Sequence, residues 1–90
     1  MTEYSVSYTE RAVKQMKKLD VQTRRLLFAW IEKNLVGCTD PRAFGKGLKS
    51  NRSGEWRYRV GDYRILAEIR EGELLILVIE VGHRSRIYKS

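Results

Sequence analysis

The stretch from Gly54 to Ile69 reads Gly-Glu-Trp-Arg-Tyr-Arg-Val-Gly-Asp-Tyr-Arg-Ile-Leu-Ala-Glu-Ile. On either side of its central Gly61-Asp62, core-type and polar side chains alternate, which is typical of half-buried β-strands. A two-residue connection with glycine in first place favours a type II′ hairpin turn. The stretch therefore predicts two antiparallel strands in which Val60 lies opposite Tyr63.

Two further strands are predicted on the sides of this hairpin. The run from Leu74 to Val81 is apolar except at Glu80, as expected of a strand that is covered on much of both faces. The preceding Arg70-Glu71-Gly72 suits a three-residue hairpin with the glycine in the left-handed conformation. Near the start of the chain, Tyr4–Tyr8 alternates and predicts a short strand.

Two helices are predicted between the first strand and the hairpin. Thr9 is placed to cap the first helix, whose apolar face consists of Ala12, Val13, Met16 and Leu19. The second helix begins near Asp20 and ends near Gly37, and its apolar positions are Leu26, Leu27, Trp30, Ile31 and Leu35. The short join between them predicts an antiparallel helical hairpin. The fold class is α+β, in the order β-α-α-β-β-β: an antiparallel sheet with the helical hairpin packed on one face.

Residues 38–54 are rich in glycine and charge and predict a long loop, part of which is expected to form a helical turn after Pro41. Loops of this length in a compact domain are often functional.

Composition and length point to a single globular domain over residues 1–90. Hydrophobic residues make up 42% and charged residues 32% of the chain, which argues against intrinsic disorder. The longest apolar run, Leu74–Ile79, is too short for a membrane-spanning helix. No signal-peptide pattern is visible at the N-terminus, so we expect a cytoplasmic location. The single Cys38 cannot form an internal disulfide.

The net charge of +7 is concentrated in two blocks of the chain. Residues 42–64 carry seven basic and two acidic side chains, and residues 83–90 carry three basic and no acidic ones. If the fold brings the blocks together, a phosphate polymer becomes the expected partner. The alternative is a generally basic surface without a specific partner.

The hairpin register places several arginines on one face of the sheet. With Val60 opposite Tyr63, Arg59 lies opposite Arg64, and Arg57 lies on the same side. Like charges directly opposite each other repel, so three converging arginines favour an anion-binding site over splayed, solvated side chains. If the last strand lies beside the Tyr63–Ile69 strand, its end returns to the level of Arg64.

The residue types present favour phosphate chemistry over other kinds of catalysis. Arginine clamps phosphate well, but its pKa above ~12 makes it a poor proton donor. If RNA is cleaved through its 2′-hydroxyl, proton transfer would fall to His83, to Tyr88 or to a group outside the protein. No phosphate-binding loop, nucleophile triad or metal-ligand cluster is recognisable, and Cys38 is interpreted as a packing residue.

Two motifs resemble the RelE/ParE toxin superfamily, and most closely its RelE branch. They are the stretch 54–69 and the C-terminal Ile-Glu-Val-Gly-His-Arg-Ser-Arg-Ile-Tyr of residues 79–88. The Met-Lys-Lys-Leu-Asp of residues 16–20 and the Asp-Pro and Gly-Lys-Gly-Leu within residues 40–48 are also similar. The inferred order of elements is that family's order.

The resemblance implies a toxin of a type II toxin–antitoxin pair. RelE-type toxins are endoribonucleases that inhibit translation by cutting mRNA in the ribosomal A site, here by a metal-independent, 2′-hydroxyl-mediated reaction without a cofactor. The expected partners are the ribosome, mRNA and an acidic, RelB-like antitoxin that alone carries the contact with operator DNA. The implied catalytic residues are Arg59, Arg64, His83, Arg84 and Tyr88. The expected RNA- or ribosome-binding residues are Lys46, Lys49, Arg52, Arg57, Arg59, Arg86 and Lys89.

Two other functions remain open from the sequence. A ParE-type inhibitor of DNA gyrase has the same fold, although that branch generally lacks the arginine and tyrosine constellation. A nucleic-acid-binding module without catalytic activity would bind in a salt-sensitive manner and would not cleave.

Overall fold

The computed structural model describes residues 3–47 and 55–83. Within them the elements are β1 (Ser5–Tyr8), α1 (Glu10–Lys17), α2 (Val21–Asn34), β2 (Lys46–Gly47), β3 (Glu55–Val60), β4 (Tyr63–Arg70), a 3₁₀ turn (Glu71–Glu73) and β5 (Leu75–His83). This order confirms the predicted α+β class. Neither helix is long and apolar enough to cross a membrane.

The five strands form one sheet in the order β1-β5-β4-β3-β2. Strands β3, β4 and β5 pair antiparallel, as predicted, and β2 pairs antiparallel with β3. Strand β1 pairs parallel with β5, from Ser5 opposite Leu75 to Tyr8 opposite Val78. The sheet is therefore mixed rather than purely antiparallel. In this position β1 packs Val6 and Tyr8 against the core and leaves Ser5 and Ser7 exposed.

The register of the central hairpin is the predicted one. Val60 pairs with Tyr63 and Arg59 pairs with Arg64. Gly61 has a φ of +61°, the sign that the first position of a type II′ turn requires.

The second hairpin differs from its prediction. The connection is a 3₁₀ turn over Glu71–Glu73, and Leu74 rather than Gly72 takes the left-handed conformation, with a φ of +50°. Strand β5 therefore begins at Leu75, one residue late, and continues to His83, two residues beyond the predicted end at Val81. The 3₁₀ hydrogen bond from Leu74 N–H to the Glu71 carbonyl accommodates this longer connection.

Both helices begin at the predicted residues. The Thr9 hydroxyl accepts from the Ala12 N–H at 3.1 Å, and the Asp20 carboxylate accepts from the Thr23 N–H at 3.2 Å. The Thr23 hydroxyl also donates to Asp20, and this bond holds the pKa of the Asp20 carboxyl below its usual value. Each cap satisfies a backbone donor that the first helical turn leaves open.

The helices bury one face against the sheet, as the apolar spacing predicts. The fully buried large side chains are Tyr58, Met16, Leu27, Ile31, Leu35, Ile65, Ile76 and Val78. Two predicted core positions are wrong, because Leu26 and Val13 remain 54% and 38% exposed. They lie at the margins of the apolar stripes, where the helix turns its side chains away from the sheet.

The segment before residue 48 is more ordered than the predicted loop. A hydrogen-bonded turn joins the Ala43 N–H to the Asp40 carbonyl, so a turn does form around Pro41. The chain then adds the two-residue strand β2 to the edge of the sheet beside β3. This strand was not predicted, since it consists only of a lysine and a glycine.

Candidate functional site

Three arginines lie on the open face of the sheet, which is the face opposite the helices. Arg59 and Arg64 are direct cross-strand partners, and Arg57 is two residues along β3 on the same side. On the other side of Arg64 lies Gly82 of β5. The predicted return of the last strand to the level of Arg64 is thus confirmed.

These arginines line a cleft at the β2 edge of the sheet. The arginine cleft has a volume of about 320 Å³ and is lined by Gly45, Lys46, Arg57, Arg59 and Arg64. Four of these residues were among those predicted from the sequence, and all four are cationic. Their convergence makes the cleft strongly attractive to a phosphate group.

The cleft combines one exposed arginine with two half-buried ones. Arg59 is exposed, whereas Arg57 and Arg64 are half-buried and the Nε atom of Arg64 is buried from solvent. A guanidinium that is partly removed from water interacts more strongly with an anion than an exposed one does. Arg59 and Arg64 also repel each other across the strands, and a bound anion would reduce this repulsion.

Two glycines allow the segment around β2, which forms one wall of the arginine cleft, to approach β3 closely. Gly45 has a φ of +77°, and a Cβ atom there would lie 2.2 Å from the Arg57 carbonyl oxygen. A Cβ atom at Gly47 would lie 3.0 Å from the indole ring of Trp56. Sequence reasoning did not include Gly45 in the site, because its role depends on contact with a strand that is distant in sequence.

Aromatic side chains anchor the segment that carries this wall. The Trp56 Nε1–H donates to the Phe44 carbonyl, and the buried Tyr58 hydroxyl donates to the Pro41 carbonyl at 2.6 Å. Trp30 contacts both Phe44 and Tyr58, with ring centroids 5.7 and 5.6 Å apart. The packing roles predicted for Trp30 and Trp56 are confirmed, and Trp56 in addition holds the cleft wall by a hydrogen bond.

Arg42 forms two further structural contacts that were not predicted from the sequence. Its guanidinium lies 5.6 Å from the Trp56 ring centroid and pairs with Glu71 at 2.5 Å. Cation–π contact and ion pair together connect the turn after Pro41 with the β4–β5 connection. Arg42 is thus engaged structurally and is not part of the arginine cleft.

His83 does not lie with the arginines. It pairs with Tyr63 at the end of β5, and the two rings meet edge to face with centroids 5.5 Å apart. Tyr63 and His83 belong to the helix-covered side of the sheet, as strand alternation from Arg64 and Gly82 requires. The structure therefore separates His83 from the other predicted catalytic residues within the described part of the chain.

Six predicted site residues fall outside the described residues. They are Lys49, Arg52, Arg84, Arg86, Tyr88 and Lys89.

The titratable groups with shifted pKa values lie away from the cleft. Burial raises the pKa of the Tyr58 hydroxyl far above its usual value, so this group stays protonated as a donor to Pro41. Burial also raises the pKa of the half-buried Cys38 thiol. A raised pKa disfavours the nucleophilic thiolate, which agrees with the interpretation of Cys38 as a packing residue. Across residues 3–47 and 55–83 there is no cluster of three side chains suited to bind a metal ion.

Known proteins resemble this chain over nearly its whole length. The family described as the ParE toxin of the type II toxin–antitoxin system parDE matches residues 6–88. The toxin RelG of Mycobacterium tuberculosis is 30% identical over 87 residues, which are 96% of this chain and 97% of that protein.

Chains in solved structures have the same fold as this chain. The toxin–antitoxin complex RelBE2 of M. tuberculosis contains a chain that superposes with a TM-score of 0.81 and 26% identity, covering 94% of this chain and 95% of that chain. The isolated RelE toxin of E. coli superposes with a TM-score of 0.74 and 25% identity, covering 94% and 90%. The likeness thus extends over the helices and the sheet together.

Proposed function

The chain belongs to the RelE/ParE superfamily of type II toxin–antitoxin toxins, and on that premise we propose that it is a ribosome-dependent endoribonuclease. It would cleave mRNA in the A site and so inhibit translation in the cytoplasm. The observation that carries the proposal is the arginine cleft, in which Arg57, Arg59, Arg64 and Lys46 converge on one open cavity. Such a cavity fits a phosphate of an extended RNA strand better than it fits a neutral ligand.

The proposed reaction uses the substrate's own 2′-hydroxyl as nucleophile. Its oxygen attacks the adjacent phosphorus, the bond from phosphorus to the 5′-oxygen breaks, and the products are a 2′,3′-cyclic phosphate and a 5′-hydroxyl. One proton leaves the 2′-oxygen and one is delivered to the 5′-oxygen. No metal ion or cofactor is required for this balance.

The arginines would act by position and charge. Arg64 and Arg59 would bind the non-bridging oxygens, on which negative charge builds up in the pentavalent state. Arg57 and Lys46, further toward the β2 edge, would hold the neighbouring part of the RNA backbone. Since the guanidinium stays protonated at all relevant pH values, none of the arginines would transfer the protons.

Of the two remaining candidates, we propose that Tyr88 contributes more to cleavage than His83 does, either by stacking on a base or by orienting the 2′-hydroxyl. Replacing His83 by alanine should lower the single-turnover cleavage rate on programmed ribosomes less than replacing Tyr88 by alanine does, because His83 packs against Tyr63 on the far side of the sheet. Comparison with Tyr88→Phe then separates roles: activity retained by phenylalanine but lost by alanine indicates base stacking. If His83→Ala is the most damaging of the three, this assignment is wrong.

A RelB-like antitoxin is the proposed regulator. The support is the charge of +7 and the similarity to a chain of the RelBE2 toxin–antitoxin complex. An acidic antitoxin would neutralise the basic surface and would provide any contact with operator DNA. Expression of this chain alone in a bacterial host should stop growth, and co-expression of the product of the neighbouring gene should restore it. Unimpaired growth at high expression would contradict the prediction.

Inhibition of DNA gyrase is the second candidate, because the matched family is described as ParE toxins. The arginine cleft favours the nuclease, since the ParE branch generally lacks this constellation. A third possibility, nucleic-acid binding without cleavage, predicts complex formation that weakens steeply with salt while the RNA stays intact.

Parallel assays of one preparation distinguish these functions. Purified protein is added to a translating extract, to the same mRNA without ribosomes, and to a gyrase supercoiling reaction. The nuclease predicts new mRNA ends in the first assay alone. Loss of supercoiling with intact mRNA would instead support the gyrase inhibitor.

A further inference from the structure

Strand β5 contains a β-bulge shortly before Gly82, the residue that pairs with Arg64 of the arginine cleft. Its pairing with β4 passes from Ala67 opposite Val78 to Leu66 opposite Glu80, which leaves Ile79 as an additional residue. A bulge of this kind shifts the alternation of side chains by one residue.

The shift is visible in the burial of the strand. Val78 and Val81 are three residues apart, yet both are buried, with 0% and 2% exposure. In a regular strand only residues an even number apart share a face. Because of the bulge, Gly82 falls on the open face beside Arg64, whereas uninterrupted alternation from Val78 would turn residue 82 toward the helices.

Helix α1 holds this bulge through side-chain hydrogen bonds. The edge partner β1 ends at Tyr8, opposite Val78. Beyond that point, side chains of α1 and of its cap Thr9 bind the free edge of β5. The Thr9 hydroxyl donates to the Ile79 carbonyl at 2.9 Å, and the Gln15 Oε1 accepts from the Val81 N–H at 2.7 Å. The two residues thus satisfy backbone groups on both sides of Glu80 that a neighbouring strand would otherwise bind.

An ion pair reinforces the same contact. Arg11 on α1 lies 3.7 Å from the Glu80 carboxylate. With its side chain 68% exposed, Arg11 contributes little to stability on its own. The Gln15 bond is the more important restraint, because it fixes a backbone N–H within the strand itself.

We propose that Gln15 is a positioning residue for the arginine cleft: by holding the Val81 N–H it fixes the phase in which β5 presents Gly82 to Arg64. This inference rests on the proposed nuclease function. Among the described residues, Gln15 does not line the cleft, whose lining comes from β3, β4 and the segment at Gly45 and Lys46. Its effect is therefore on the geometry of the strand end, and the chain continues directly from there into Arg84.

The test compares two substitutions at Gln15 with one control. Gln15→Met keeps the length of the side chain but removes the oxygen acceptor, whereas Gln15→Glu keeps an oxygen that can accept from the Val81 N–H. The exposed Gln22 on α2 provides the control Gln22→Met. Single-turnover cleavage on programmed ribosomes is measured at saturating and at half-saturating protein, together with hydrogen exchange at the Val81 amide.

We expect Gln15→Met to lower the saturated rate about tenfold or more, since misplacement by about 1 Å can cost up to ~10²-fold. The half-saturating concentration should stay nearly unchanged, Val81 exchange should accelerate, and Gln15→Glu should restore both rate and protection. Gln22→Met should behave as wild type. If Gln15 had only a structural role, Gln15→Met would lower thermal stability but would not lower the saturated rate selectively while the half-saturating concentration stays unchanged.

The measurements distinguish a wrong role for Gln15 from a wrong proposed function. If wild type cleaves and Gln15→Met cleaves within twofold of it while Val81 exchange accelerates, Gln15 does not position the cleft. Unchanged Val81 exchange in Gln15→Met would also refute the inference, because the hydrogen bond then restrains nothing. If the wild type does not cleave at all, the proposed function is refuted and the positioning role falls with it.

Discussion

Replacing Arg64 by alanine should slow mRNA cleavage on ribosomes by about 10²–10³-fold, the usual loss when one donor to a charged transition state is removed. Arg64 lies in the arginine cleft, where it pairs with Arg59 of β3 on one side and with Gly82 of β5 on the other. Thermal stability should hold or rise slightly, because the substitution also removes the repulsion between Arg59 and Arg64.

Two further variants make this prediction specific. Arg64→Lys keeps the charge but loses the planar, two-pronged donor geometry, so it should recover only part of the rate. Arg25→Ala removes an exposed arginine of α2, away from the cleft, and should leave the rate within about twofold. Cleavage by Arg64→Ala at the wild-type rate would show that the assigned site is wrong.

Replacing Gly45 by alanine should clearly destabilise the folded state. The left-handed conformation costs a non-glycine residue about 1–2 kcal/mol. The new Cβ would in addition meet the Arg57 carbonyl at 2.2 Å, which raises the expected total to about 2 kcal/mol or more. Since each kcal/mol lowers the Tm of a domain of this size by about 4–8 °C, the Tm should fall by roughly 8–16 °C.

Gly72 provides the matched control for this substitution. A Cβ atom at Gly72 would meet nothing within 4 Å, and the residue has no positive φ. Gly72→Ala should therefore change the Tm by only a few degrees in a thermal melt followed by circular dichroism. A Gly45→Ala melt that coincides with that of Gly72→Ala would contradict the close packing of β2 against β3.

The central hairpin is the part of the fold that could be predicted in most detail. Its strands alternate between core-type and polar side chains at every position but Leu66, and its turn has glycine where a positive φ is required. These are local signals, so the register from Val60–Tyr63 onward could be derived residue by residue. The caps at Thr9 and Asp20 were predictable for the same reason, because a capping side chain acts on the next few residues.

Features that depend on distant parts of the chain could not be predicted in this way. The parallel position of β1 beside β5 joins residues about seventy positions apart. The bulge at Ile79 lies in an almost uniformly apolar run, where one additional residue leaves no mark in the pattern. Leu74 takes the left-handed conformation although Gly72 is close by, because the 3₁₀ turn sets which residue must reverse the chain.

In the candidate site too, residues set by local sequence could be predicted, whereas residues whose role depends on distant contacts could not. Arg57, Arg59 and Arg64 follow from the hairpin register, and the structure brings Lys46 to them. Gly45 was missed because its importance lies in a contact with the backbone of Arg57. Gln15 was missed for a similar reason, since a glutamine on a helix carries no sign of the strand amide that it binds.

We propose that the arginine cleft cleaves mRNA through the 2′-hydroxyl on the ribosome. The most direct measurement uses programmed ribosomes holding either an all-ribose mRNA or one with a single 2′-deoxy nucleotide at the A-site cleavage position, with the mRNA ends mapped after adding the wild-type protein. We predict a cut within the A-site codon of the ribose mRNA, a 2′,3′-cyclic phosphate at its end, and an intact deoxy substrate. Two intact substrates, or equal cleavage of both, would contradict the account.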